Sequence, residues 1–167
     1  MYIKTNRLTL QSIASANLDQ LVELLTDETV KKTYMIPDFP DREAAMKLAR
    51  RIQQLSQDPD RYVVGMYLGD QLIGMMNDTD RTENAIEMGY AVLPRFQNQG
   101  YCTEALTGVI AYLLDCGFSQ VLTGAFEENI ASQRVMEKSG MTKIDKVDEI
   151  EYRGKNHRCI YYVAKKG

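Results

Sequence analysis

Apolar residues recur at helical spacing in four segments of the chain, and in seven others they form short alternating or continuous apolar runs. The predicted helices cover residues 18–25, 42–55, 103–116 and 130–139, and the predicted strands cover residues 8–13, 62–67, 71–77, 85–93, 121–126, 143–152 and 157–165. The order β-α-α-β-β-β-α-β-α-β-β predicts one mixed α/β sandwich, a single domain over residues 1–167.

Polar residues and glycines stand where the predicted helices begin and end. Asn17 and Asp41 are placed to accept hydrogen bonds from the first turns of the first two helices. Gly117 and Gly140 follow the last apolar positions of the other two, where a left-handed residue commonly ends a helix. The segment Leu68-Gly69-Asp70 predicts a tight turn between two antiparallel strands.

A polar loop, Gln97-Asn98-Gln99-Gly100-Tyr101-Cys102-Thr103, connects a predicted strand to the third helix. The N–H groups in the first turn of a helix have no intrahelical partner, and with the helix dipole they suit an anion such as a pyrophosphate. Gly100 would let the backbone approach such a ligand. A glycine in this position more often only makes a turn, so the loop alone leaves both interpretations open.

A second segment, Asn129-Ile-Ala-Ser-Gln-Arg-Val-Met-Glu-Lys-Ser-Gly-Met141, opens the last helix. With the polar loop it resembles the two acetyl-coenzyme A motifs of the GNAT superfamily of N-acetyltransferases, a Gln/Arg-x-x-Gly-x-Gly/Ala loop and an Asn-x-x-Ser-x-x-Val/Leu-x-x-x-x-Gly-Phe/Met helix. The segments Thr5-Asn6-Arg7-Leu8-Thr9-Leu10 and Glu87-Met88-Gly89-Tyr90 resemble the branch of ribosomal-protein N-terminal acetyltransferases. The resemblance implies a GNAT-type α/β fold, with a mixed, mostly antiparallel central sheet of about seven strands flanked by about four helices.

The resemblance also implies where acetyl-coenzyme A (acetyl-CoA) would bind as a co-substrate. Backbone amides of the polar loop would hold the pyrophosphate, and the pantetheine arm would pair with a strand edge by main-chain hydrogen bonds. Asn129 would bond the same arm, although an asparagine there also suits a helix cap. The implied contacts are Ala91, Val92, Leu93, Gln97, Asn98, Gln99, Gly100, Tyr101, Cys102, Thr103, Asn129, Ser132 and Arg134. Arg134 could equally be a solvated surface charge, and Cys102 departs from the Gly or Ala usual in the loop.

Glu87 is the candidate general base. It lies mid-strand in a largely apolar run, where desolvation would raise the pKa of a carboxylate toward the range that deprotonates an ammonium group. The matching glutamate is functional in some relatives and replaced in others. The alternative is a strand residue that faces solvent or pairs with a lysine.

Ser132 is the candidate acid. Many superfamily members protonate the leaving thiolate with a tyrosine seven residues after the motif asparagine, but this chain has Met136 there. Ser132 matches a serine that the ribosomal branch places near the sulfur, and its hydroxyl can donate a hydrogen bond to a thiolate. It could instead cap the helix or face solvent. Three tyrosines are further candidates, although packing roles suit each of them better: Tyr90, Tyr101 and Tyr152.

The bulk composition narrows the function classes. A net charge of -3 and a pI near 5.3 argue against a nucleic-acid-binding surface. No apolar run is long enough for a membrane span, and the N-terminus lacks a signal peptide's hydrophobic region, so we expect a cytoplasmic protein. Three cysteines without metal-ligand spacing and a single histidine favour reduced thiols and no metal site.

The acceptor is the part of the reaction that the sequence specifies least. The resemblance favours direct transfer to a protein or peptide N-terminal α-amine, whose pKa near 8 makes deprotonation easier than for a lysine. A small-molecule amine, such as a polyamine, an aminoglycoside or an amino acid, is the alternative. A non-catalytic acyl-coenzyme A sensor is a third hypothesis, favoured by the missing tyrosine at Met136. We expect a monomer or homodimer.

Overall fold

One eight-stranded sheet organises the computed structural model, which describes residues 1–167. Its strands are β1 Ile3–Lys4, β2 Thr9–Gln11, β3 Val64–Leu68, β4 Gln71–Arg81, β5 Ala85–Val92, β6 Gln120–Phe126, β7 Thr142–Tyr152 and β8 Lys155–Lys165. They lie in the order β1-β2-β3-β4-β5-β6-β8-β7, and every neighbouring pair is antiparallel except β5 and β6. The prediction of a mixed, mostly antiparallel sheet is confirmed.

Five α-helices cover the two faces of the sheet. They are α1 Leu18–Thr26, α2 Glu28–Lys31, α3 Arg42–Gln57, α4 Tyr101–Asp115 and α5 Ile130–Lys138. Helices α1 and α3 pack on one face and helices α4 and α5 on the other, each pair over its own hydrophobic core. Strand β1 and helix α2 were not predicted, because elements of two and four residues are too short to show a periodicity. No helix is both long and apolar enough to cross a lipid bilayer.

The helix ends agree with the predictions at three of four positions. Asp41 accepts a hydrogen bond of 2.8 Å from the backbone N–H three residues on, and Gly117 and Gly140 have φ of +110° and +81° just beyond their helices. Asn17 was predicted to cap α1, and this is wrong: its side-chain oxygen accepts from the Tyr67 hydroxyl at 3.2 Å instead. The Asn17 oxygen that could have capped α1 is used in a contact with a distant strand.

Strand β5 carries side chains to both faces, because alternate residues of a strand point to opposite sides. Ile86, Met88 and Val92 belong to the core under α4 and α5, whereas Ala91 and Leu93 belong to the core under α1 and α3. By the same alternation Tyr90 points toward the α4–α5 face. Glu87 and Gly89 point toward the α1–α3 face.

A gap opens in the sheet between β5 and β6. The two strands pair only through residues 85–87 and 120–122, and then diverge. The Thr123 hydroxyl donates to the Met88 carbonyl at 2.7 Å, just past the last paired residues. Beyond this bridge the edge of β5 is without a strand partner on that side, so a ligand can pair with it and reach both faces of the sheet.

Candidate active site

The polar loop ends in a left-handed turn at the start of α4. Asn98 and Gly100 have φ of +58° and +81°, and the first helical hydrogen bond runs from the Glu104 N–H to the Gly100 carbonyl at 3.0 Å. The N–H groups of residues 101–103 precede that bond and face out of the helix end. The structure therefore brings exposed backbone donors together at the positive end of a helix dipole, as an anion site requires.

Arg7 fixes this loop from the N-terminal segment. Its side chain donates to Glu104 Oε2 at 2.7 Å and to the Gln99 carbonyl at 2.9 Å, and its guanidinium lies 4.4 Å from the centre of the Tyr101 ring. The same Glu104 carboxylate accepts from the Thr5 hydroxyl and the Arg7 backbone N–H, each at 2.6 Å. Burial alone would raise the pKa of Glu104, but these hydrogen bonds and the guanidinium charge lower it below its usual range.

Sequence reasoning gave Arg7 no role, although Thr5-Asn6-Arg7 was part of the family resemblance. The missing signal was its partner, because Glu104 lies 97 residues away along the chain. Tyr101, a further candidate for the acid, stacks beneath Arg7 and contacts Phe96 edge-on, which is a packing role.

Two loop side chains that were predicted to contact acetyl-CoA instead donate to backbone carbonyls that precede the loop. The Gln97 amide donates to the Val92 carbonyl at 3.0 Å, and the Gln99 amide donates to the Arg95 carbonyl at 2.8 Å. Both bonds hold the loop shape and leave its backbone N–H groups as the donors. Burial raises the pKa of the Cys102 thiol to about 12, so this cysteine stays protonated and unreactive at neutral pH.

Tyr90, Ser132 and Asn129 meet on the α4–α5 side of the gap. The hydroxyls of Tyr90 and Ser132 are 2.6 Å apart, and the Ser132 backbone N–H donates to Asn129 Oδ1 at 3.2 Å. Asn129 therefore does cap α5, and its amide nitrogen is left for a further acceptor. Burial raises the pKa of Tyr90 well above its ordinary value, against the opposing effect of the Ser132 hydrogen bond, so its hydroxyl keeps its proton.

Of the three residues predicted to pair with the pantetheine arm, only one directs its backbone groups toward the gap. The Leu93 N–H bonds to the Ile73 carbonyl of β4 at 2.9 Å, and alternate residues of a strand direct their backbone groups to opposite sides. Ala91 and Leu93 thus direct their backbone groups toward β4, whereas Val92 directs its groups toward the gap. The Val92 carbonyl is already engaged by Gln97, which leaves its N–H for a ligand.

Glu87 lies across the sheet from Ser132, on the α1–α3 face. Its carboxylate accepts from the Thr79 hydroxyl at 3.0 Å and lies 3.5 Å from the Lys146 ammonium, so the lysine partner of the alternative interpretation is present. The side chain is 20% exposed. The structure does not bring the two candidate catalytic residues together on one face, and only the gap connects their surroundings.

The remaining candidates have surface or structural positions. Arg134 is exposed on α5, and Met136 is fully buried in the core. The Tyr152 hydroxyl donates to backbone carbonyls of the α2–α3 segment, the nearest being that of Lys31 at 2.7 Å. Tyr152 thereby ties the β7–β8 hairpin to that segment, so its hydroxyl is not available as an acid.

An apolar cavity of about 160 Å³ lies on the α1–α3 face, between α1, α3, the segment that joins α2 to α3, and strand β4. Met75 and Ile36 are among its lining residues, and Tyr34, hydrogen-bonded to Asn77, stands between the cavity and Gly89. A Cβ atom at Gly89 would lie 3.4 Å from the Tyr34 ring. The absence of a side chain at Gly89 therefore leaves space between β5 and Tyr34 on this face.

Comparison with known proteins gives the family. The profile of the acetyltransferase (GNAT) domain matches residues 7–142. YnaD of Bacillus subtilis, an uncharacterised N-acetyltransferase, is 26% identical over 145 residues, which cover 86% of this chain and 84% of YnaD.

Solved structures share the fold. A GNAT-family acetyltransferase from Bacillus anthracis superposes with a TM-score of 0.84 at 21% identity, covering 99% of this chain and 98% of that one. The ribosomal L7/L12 alpha-N-protein acetyltransferase RimL, in complex with coenzyme A, superposes with a TM-score of 0.83 at 18% identity and the same coverage. With most of its length matched by the family profile and its motifs in place around the gap, this chain belongs to the GNAT acetyltransferase family.

Proposed function

We propose that this protein transfers the acetyl group of acetyl-CoA directly to a primary amine. The observation that carries the proposal is the gap between β5 and β6, because it places an exposed strand edge, the Tyr90–Ser132 hydroxyl pair and the N-terminus of α4 around one opening. This is the set of groups that a long phosphorylated thioester would need: a phosphate site, a strand partner and a proton donor.

The residues present fit acetyl-CoA. The left-handed turn at Gly100 leaves the first N–H groups of α4 without a partner, and Arg7 holds the loop in this shape through the Gln99 carbonyl. Val92 N–H and the Asn129 amide would hold the pantetheine arm along β5. The RimL structure, which contains coenzyme A, has the same fold and supports this use of the site.

Acetyl-CoA supplies an activated acyl group, and the chain's own residues position it and handle the protons. Ser132, paired with Tyr90, would donate a hydrogen bond to the departing thiolate from the α4–α5 side. Glu87 would hold the amine and accept its proton from the α1–α3 side. The placement of the two residues on opposite faces suits a reaction through the gap, with the thioester entering from one face and the amine from the other.

For the acceptor we propose a protein or peptide N-terminal α-amine. RimL is described as an alpha-N-protein acetyltransferase of ribosomal L7/L12, and an α-amine is more readily neutral at physiological pH than a lysine. Lys31 and Tyr152 join the two segments that border the α1–α3 face and so shape a defined entrance to it. A cytoplasmic location and a monomeric or homodimeric state belong to the same proposal, and the three free cysteines suit a reducing compartment.

A thiol-release assay with acetyl-CoA tests the proposal. The acceptor panel contains N-terminal peptides beginning with different residues, each matched by the same peptide with a blocked N-terminus, together with polyamines, aminoglycosides and amino acids. We expect release with free peptides alone, and mass spectrometry should locate the acetyl group on the α-amine. Products confined to small amines would overturn the proposal of an N-terminal α-amine as acceptor. Cofactor binding without turnover on any amine would favour the hypothesis of an acyl-coenzyme A sensor.

A further inference from the structure

A bulge in β7 directs Lys146 toward Glu87. Ile144 pairs with Tyr161 of β8 and Val147 pairs with Ile160, so residues 145 and 146 have no partners opposite them. Bulges of this kind re-aim a side chain from the regular alternation of a strand. The Lys146 ammonium lies 3.5 Å from Glu87 Oε2 and 4.0 Å from the centre of the Tyr161 ring.

The surroundings of that ammonium are built to hold a primary amine. The Tyr161 ring lies over Gly124 of β6, where a Cβ atom would come within 2.8 Å of the ring. Its hydroxyl donates to Asp148 at 2.8 Å, and burial first, with this hydrogen bond second, raises the pKa of Tyr161 so that the proton stays on it. A carboxylate beside a fixed aromatic face is a recognised cation site.

Glu87, like the Tyr161 ring, is held in place by a hydrogen bond. A second bulge, in β4 between Asp78 and Asp80, leaves Thr79 without a partner opposite it, and the Thr79 hydroxyl donates to Glu87 Oε1 at 3.0 Å. Lys146 is the more exposed member of the pair, because its side chain is 41% exposed while that of Glu87 is 20% exposed. A part-exposed pair with a separation of 3.5 Å is weak enough to be exchanged for another cation.

We propose that Lys146 is an internal competitor for the acceptor's ammonium group, holding the place between Glu87 and Tyr161 until a cationic amine displaces it. This inference rests on the proposed function, since it assigns the amine-binding half of that site. The exchange makes Lys146 a specificity-determining residue: amines that carry a positive charge replace it one for one, whereas a neutral molecule of the same shape does not satisfy Glu87.

Binding of the n-butylammonium ion, without acetyl-CoA so that no turnover occurs, tests the competition directly. We expect Lys146→Met to bind this probe about threefold to fivefold more tightly than the unmodified protein, the size of effect that a part-exposed ion pair gives. Lys143→Met is the matched control, because it removes the same charge from an exposed position on the same strand and should leave the affinity unchanged. The neutral analogue 1-butanol should not distinguish the variants.

The double variant Glu87→Gln/Lys146→Met should not bind n-butylammonium more tightly than the unmodified protein, because it lacks the carboxylate that pairs with either ammonium group. Equal or weaker binding of n-butylammonium to Lys146→Met would overturn the proposal. Absence of binding in every variant would also overturn it. Turnover is judged separately: with an accepted amine, Lys146→Met should lower the acceptor KM by the same factor and leave the acetyl-CoA KM unchanged, whereas failure of thiol release on every amine would count against the proposed function alone.

Discussion

At the scale of single residues, the hydrogen bond between Tyr90 and Ser132 is the basis of the proton donor that we propose for the thiolate. Two hydroxyls 2.6 Å apart form a donor pair in which one proton can follow the other. Met136, at the position of the usual tyrosine, is fully buried in the core and takes no part. We therefore propose Ser132 as the donor beside the gap and Tyr90 as the residue that orients it.

Replacing Ser132 by Ala should lower kcat by about 10²-fold, the usual contribution of a positioned acid. Tyr90→Phe should lower kcat less. The double variant should have the same kcat as Ser132→Ala, because both changes break the same hydrogen bond. Ser119→Ala is the control, since its hydroxyl donates to the Asn84 carbonyl at 2.9 Å, before the paired start of β5 and β6. Independent, additive losses from steady-state kinetics would show that the two hydroxyls act separately.

At the scale of elements, the sequence predicted what is local and missed what is distant. The periodic segments, the Asp41 cap and the motif residues at the start of α5 were readable, because each depends on neighbours within a few positions. Arg7 with Glu104 and Tyr90 with Ser132 were not, since their partners lie 97 and 42 residues away. The pairing of Glu87 with Lys146 depends on two bulges, which leave no periodic signal.

The polar loop illustrates how an element is held in shape for a ligand. Gly100 has φ of +81°, and a Cβ atom there would lie 3.2 Å from the Arg7 guanidinium. Gly154, in the β7–β8 turn, has φ of +74° with no atom within 4 Å of the added Cβ. The two glycines therefore share the backbone requirement but differ in what surrounds them.

Gly100→Val should weaken acetyl-CoA binding by tenfold or more, about 1.4 kcal/mol, because the side chain displaces Arg7 and crowds the backbone donors. Gly154→Val should lose comparable stability, on the order of 1–3 kcal/mol from the left-handed backbone, and keep its affinity. Isothermal titration calorimetry gives the affinities and denaturant unfolding gives the stabilities. Equal affinities in the two variants would mean that the loop at Gly100 does not bind the cofactor.

At the scale of the whole molecule, the gap divides the sheet into two parts, β1–β5 and β6–β8. Three parallel residue pairs join them within the sheet, and α4 and α5 join them above it. The cofactor contacts that we propose come from both parts, since α4 and the edge of β5 belong to one and Asn129 follows β6 in the other. A ligand bound there would couple the parts as well as fill the gap.

Acetyl-CoA should therefore stabilise the protein as a unit, by about 2.7 kcal/mol at a concentration of 100 times Kd, because it binds the folded state alone. Hydrogen exchange should slow most at the N–H of Val92 and at residues 101–103, whose backbone donors we assign to the ligand. It should also slow in β6, where no ligand contact is proposed, because opening the gap then requires release of the cofactor. The N-terminal turn of α3, to which we assign no cofactor contact, serves as the internal reference. Protection confined to the loop and absent from β6 would show that acetyl-CoA binds one part of the sheet without joining the two.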